Sequence, residues 1–147
     1  MSNQIRAAFL MLVALQALHS TEEYIFKFYD VFPPMVMLYR DAPQMASIGF
    51  IVFNIFLFMA GLICLFGWVW PGRPGARTIV WVWVVVETFN FVAHSVWAIL
   101  IRGYNPGLAT VLGFVPLVIY IGYQLRRAPT DAGLTRKSRT NETDVYS

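Results

Sequence analysis

The chain has two histidines, His19 and His94, and each lies within two helical turns of a carboxylate. Residues three, four and seven apart share one face of a helix. Gln16, His19, Glu23 and Lys27 therefore form one stripe, with Glu22 beside it, and Glu87, Asn90 and His94 form a second. His/Glu pairs on facing helices are how helical bundles build metal centres. Imidazole with carboxylate suits zinc, iron or manganese. The same side chains suit general acid–base chemistry, because two neighbouring carboxylates do not both ionise cheaply and can divide into acid and base. His19, Glu22, Glu23, Glu87 and His94 are thus the candidate catalytic residues and the candidate metal ligands, with Gln16, Asn54 and Asn90 in support. Plainer readings compete. Glu22 and Glu23 can mark the end of a short helix and pair with Lys27, and His94 can be a helix–helix hydrogen-bonding group, as Asn54 and Asn90 can.

The elements that must hold these residues are membrane helices. Of 147 residues 58% are hydrophobic and 13% charged, with an aromatic share of 16%, and the mean hydropathy is +0.58. Soluble domains carry about a quarter charged residues. A spanning helix needs ~20 mostly apolar residues. Four such spans are expected at about 5–29, 46–70, 78–101 and 108–124. The first is interrupted by His19-Ser20-Thr21-Glu22-Glu23 and resumes at Tyr24-Ile25-Phe26. A secreted leader with Arg6 as its basic flank would also begin this way, but no small-x-small pair follows Leu18. The expected fold is all-α, a polytopic four-helix membrane bundle filling residues 1–125. Pro71-Gly72-Arg73-Pro74-Gly75 and Asn105-Pro106-Gly107 mark two joints. The stretch 30–44 between helices 1 and 2 reads as an interfacial or re-entrant segment, and 126–147 as a disordered cytoplasmic tail. Trp68, Trp70, Trp81 and Trp83 read as an interfacial belt. Pro116 reads as a kink, and the single cysteine, Cys64, excludes an internal disulfide.

Lysine and arginine counts orient the bundle. Arg6, Arg73, Arg77, Arg126, Arg127, Arg136, Lys137 and Arg139 fall on one side, and Lys27, Arg40 and Arg102 on the other. Both termini are expected in the cytoplasm of a multi-pass cell-membrane protein. Arg6 to Glu22 and Thr78 to His94 each cover ~24 Å of helix rise, so the two histidines should lie at one height, with Asn54 near Glu87. Ionised groups at mid-bilayer cost ~3 kcal/mol or more and are site candidates by default. Lys27 is the one fixed positive charge expected nearby.

His19-Ser20-Thr21-Glu22-Glu23, Asn90-Phe91-Val92-Ala93-His94, and Gly107-Leu108-Ala109-Thr110 followed by Pro116 resemble, in order and spacing, the motifs of the HXXEE-domain membrane proteins, a family of largely unknown function. The resemblance implies His19, Glu22, Glu23, Asn90 and His94 as the site and names no reaction. Phe91 stands where it leads one to expect a small alanine.

The function expected from these readings is a small membrane enzyme acting on a lipophilic or amphipathic molecule. Isomerisation, rearrangement, cyclisation or hydrolysis would suit it, in specialised metabolite biosynthesis for example. A proton or metal-ion carrier, or an accessory subunit, is the competing class. Expected partners are membrane lipids, a lipophilic small-molecule substrate and a second copy of the chain. A divalent zinc, iron or manganese ion is the expected cofactor. No nucleic acid is expected, and without a Gly-rich phosphate loop or dinucleotide fingerprint no nucleotide cofactor is expected either.

Overall fold

A computed structural model describes residues 1–127. All of its regular structure is helical among these residues: α1 (Asn3–Ile25), α2 (Phe28–Val31), α3 (Pro33–Leu38), a 3-10 turn (Pro43–Met45), α4 (Ala46–Cys64), a π-turn (Leu65–Val69), α5 (Ala76–Ile101) and α6 (Leu108–Arg127). The polar tail read from the sequence lies outside the described residues beyond Arg127, and Arg126 and Arg127 still belong to α6.

Among the described residues, three stretches are long and apolar enough to cross a membrane: Pro43–Val69, Ala76–Ile101 and Leu108–Arg127. α1 is not among them. Its apolar run is diluted by Arg6, Gln16 and the His19–Glu23 segment. It also stops earlier than its hydropathy suggests. Lys27 adopts a left-handed backbone with φ 54°, a conformation that ends a helix. Lys27 is thereby turned off the Gln16–His19–Glu23 stripe and is exposed, so it is not the counter-charge the spacing suggests.

α1 packs against α4 and α6, and α5 packs against α6. The buried apolar core occupies one half of this assembly. Phe9, Leu12 and Val13 of α1, Leu65 and Val69 of the π-turn, Val80 and Val84 of α5, and Val111, Phe114 and Ile121 of α6 fill it. Trp83 belongs to this core rather than to an aromatic belt: it is 7% exposed and meets Phe9 edge-on at 6.0 Å. Its face of α5 looks toward α1, which periodicity alone does not reveal. Phe91 likewise packs against the core. The other half of the assembly holds Gln16, His19, Glu23, Glu87, His94 and Asn105, all buried. Phe53, Phe56, Phe66, Phe89, Ile99 and Leu100 point outward, each more than half exposed, a surface suited to lipid.

Candidate metal centre

α1 and α5 bring their stripes face to face. The His19 and His94 rings lie 5.0 Å apart, edge to face. His19 Nε2 is 3.6 Å from Glu23 Oε1, and His94 Nε2 is 3.3 Å from the same oxygen. One ligand atom from each of His19, Glu23 and His94 falls within 4.8 Å of the others, and all three side chains are buried. Ligands about 2.0–2.1 Å from a tetrahedral zinc stand about 3.3 Å apart; the two His–Glu distances are close to this, and the group could hold a metal ion.

The far nitrogens decide what the near ones offer. Thr110 donates its one hydroxyl proton to Glu22 Oε2. The Thr110 hydroxyl oxygen lies 2.9 Å from His19 Nδ1, so Thr110 Oγ1 accepts there and Nδ1 carries the proton. Asn105 Nδ2 donates to the His94 carbonyl at 2.9 Å. That contact turns Asn105 Oδ1 toward His94 Nδ1 at 2.8 Å, and this nitrogen too must donate. Both imidazoles therefore present Nε2 lone pairs to a carboxylate. Three acceptors that converge in a buried space require a cation among them, a metal ion or a proton. Second-sphere acceptors that fix imidazole tautomers are a regular part of metal sites.

The loop before α6 makes this geometry possible. Asn105 is fully buried. Gly107 has φ 91°, and a Cβ there would lie 2.7 Å from Cε1 of each histidine and 3.0 Å from Glu23 Cγ. The loop backbone closes over the three side chains because this residue has none.

Glu22, adjacent in sequence to Glu23, faces elsewhere. Its carboxylate accepts from Thr110 N at 2.8 Å, Ala109 N at 3.2 Å, the Thr110 hydroxyl and the Tyr104 hydroxyl. These backbone donors are free N–H groups of the first turn of α6, so Glu22 is an anionic cap supplied from another helix. Loss of hydration and then the Glu22 carboxylate push the Tyr104 phenol up to about 12.

Glu87 is also outside the three-residue group. It is 1% exposed and accepts from Asn90 Nδ2 at 3.5 Å. With the Gln16 amide oriented so that its nitrogen faces Glu87, it accepts from Gln16 at 3.1 and 3.2 Å. Asn54 does not join Glu87. It accepts from the Ser20 hydroxyl at 2.5 Å and donates to Phe50 O at 3.0 Å, tying α4 to α1. Thr110, Asn105, Gly107 and Tyr104 also belong to the site, although none of them lies on the two helical stripes. For Thr110 and Gly107 the signal was present in the Gly107-x-x-Thr110 motif. Asn105 read only as turn punctuation, and Tyr104 carried no signal.

A cavity of about 490 Å³ opens beside the centre, with His19, Glu23, Glu87 and His94 in its wall. Phe28 covers it, stacked on His94 at 5.5 Å. Removing the Asn105 amide frees His94 Nδ1 and the ring. An Asn105→Ala variant is expected to bind zinc 10–100-fold more weakly by competition with a chromogenic chelator, the usual cost of deleting a second-sphere partner. Unchanged affinity would show that the His94 tautomer is set otherwise.

Fold and site together define an all-helical protein with membrane-length apolar helices and a buried His–Glu–His centre. Residues 10–121 match the family described as a protein of unknown function with HXXEE motif. The chain belongs to that family, and its name-giving motif is His19-Ser20-Thr21-Glu22-Glu23. No curated protein and no solved structure matches the chain.

Proposed function

We propose that the protein is a multi-pass membrane enzyme in which His19, Glu23 and His94 hold a divalent transition metal and act on a lipophilic molecule in the adjoining cavity. In this reading α1 is a fourth span, α2 and α3 lie at the outer interface, and both termini are cytoplasmic, as the Lys and Arg distribution favours. The observation that carries the reading is the pair of fixed tautomers, which aim two Nε2 lone pairs at the Glu23 carboxylate.

Two imidazoles and one carboxylate are a ligand set of catalytic zinc and of non-haem iron. His19, Glu23 and His94 would hold the ion with three protein ligands, and the chemistry it would supply there is polarisation of a substrate carbonyl or hydroxyl, which would make an adjacent proton or leaving group labile. Glu87 lies in the same cavity wall and is the group to take up or return that proton. Gln16 and Asn90 orient it. Moving a proton between two positions of one molecule consumes no oxidant or co-reactant, so isomerisation, rearrangement and cyclisation suit the site, as does hydrolysis if water is the fourth ligand.

Elemental analysis of detergent-purified protein tests this. The expected content is one zinc, iron or manganese per chain, absent from His19→Ala, His94→Ala and Glu23→Gln proteins that still elute as folded monodisperse material. Folded wild-type protein that neither contains nor takes up these metals would end the metal reading. Metal flux into liposomes dependent on His19 and His94 would replace the enzyme with a carrier.

A further inference from the structure

We infer that the cleft between α4 and α5 is a side port open to the bilayer, and that it admits a neutral, long apolar molecule bearing one carbonyl or hydroxyl group. This rests on the proposed centre and adds its substrate class and route.

The port follows from which residues are both outward and in the cavity wall. Phe53 of α4 and Phe89 of α5 line the cavity and are 62% and 74% exposed. Ala93, one turn from Phe89, also lines it and is exposed. The cavity therefore reaches the apolar outer surface between two helices. α5 meets the α4 segment at the π-turn end, which closes that end. Phe28, Phe32 and Met35 close the other. Phe89 stands at the middle of the 26-residue α5, so the mouth opens at hydrocarbon depth rather than toward water.

Charge selects the ligand. No Lys or Arg of the described residues lines the cavity, whereas Glu23 and Glu87 do. A divalent ion with these two carboxylates and two neutral imidazoles sums to zero formal charge. Nothing remains to balance a phosphate or diphosphate, which proteins hold with Arg, Lys or helix N-termini. The free N–H groups of α6 that could serve an anion are already taken by Glu22. A phospholipid or prenyl diphosphate is thus disfavoured, and an oxygen-bearing hydrocarbon fits. About 490 Å³ falls within the ~300–1,000 Å³ of small-molecule sites.

The test is photolabelling of zinc-loaded protein in nanodiscs. One probe is a long-chain alcohol carrying a diazirine and an alkyne, and the other is the same chain ending in a phosphate monoester. The alcohol is expected to label peptides around Phe53 and Phe89 at least ten times more than the phosphate does. Ala93→Trp fills the mouth from an exposed position and is expected to lower this labelling at least tenfold while metal content stays at the wild-type level. Ile99→Trp, on the outer face of the same helix and outside the cavity wall, is expected to label as wild type. Equal labelling of Ala93→Trp, or equal labelling by the phosphate probe, overturns the port or its neutral ligand respectively. Labelling that behaves as expected in protein that takes up no metal supports the port and counts against the metal centre, so the two claims fail separately.

Discussion

A Gly107→Ala protein is expected to lose about 2–5 kcal/mol of stability and its bound metal together. The left-handed backbone at φ 91° costs an ordinary residue ~1–2 kcal/mol. The added methyl would stand 2.7 Å from a carbon of each imidazole and 3.0 Å from Glu23 Cγ, and overpacking of this kind costs ~1–3 kcal/mol. The rings cannot yield without giving up Thr110 and Asn105, so relief of the clash comes at the expense of the ligand geometry. Gly75→Ala is the control. It also has a positive φ, 84°, but its methyl would meet nothing within 4 Å, so it reports backbone strain alone. Thermal melting of detergent-solubilised protein, followed by size exclusion, together with metal content, separates the two. Equal destabilisation of both variants with full metal in Gly107→Ala would mean that the loop does not pack on the histidines as described.

Glu22→Ala is expected to cost about 3–4 kcal/mol, with Glu22→Gln costing roughly half of that. Hydrogen bonds to a charged group contribute ~1.5–3 kcal/mol each and are not additive, and the α6 N-terminus adds ~0.3–1 kcal/mol through its dipole. Alanine leaves the Ala109 and Thr110 N–H groups without the carboxylate, whereas glutamine keeps one acceptor oxygen. If Glu22 served as a metal ligand, Glu22→Gln would empty the site and leave stability nearly intact. The geometry requires the reverse: lower melting temperature with stoichiometric metal. Thr110→Val, which keeps the shape of the side chain but removes the relay from Glu22 to His19, is expected to weaken metal binding more than Glu22→Gln does. Chelator competition and melting temperature measured on the same samples decide between these outcomes.

Much of the site was legible in the chain because helices impose a fixed rise and period. Equal sequence distances from Arg6 to Glu22 and from Thr78 to His94 place the two histidine stripes at one height, and their rings do lie 5.0 Å apart. Glu22 and Glu23 show where this ends. Both belong to the motif, but neighbours on a helix point about 100° apart. Which one faces His94 and which one faces α6 depends on the rotation of α1 about its axis, and that is set by the packing of Phe9, Leu12 and Val13. Lys27 illustrates the same limit, since a single left-handed residue removes it from a stripe that the spacing alone would extend.

By itself the sequence determined the class: a helical chain with stretches apolar enough to cross a membrane, read as four where three meet that measure among the described residues, and two stripes that hold every histidine it has. Those properties follow from composition and from the 3.6-residue period, which act locally. The tertiary structure alone decided that Glu23 and not Glu22 joins the histidines, that Asn105 and Thr110 fix their tautomers, and that Gly107 must lack a side chain. Those contacts join α1 and α5 to a loop far away in sequence, and only the packed arrangement of helices sets which side chains meet there.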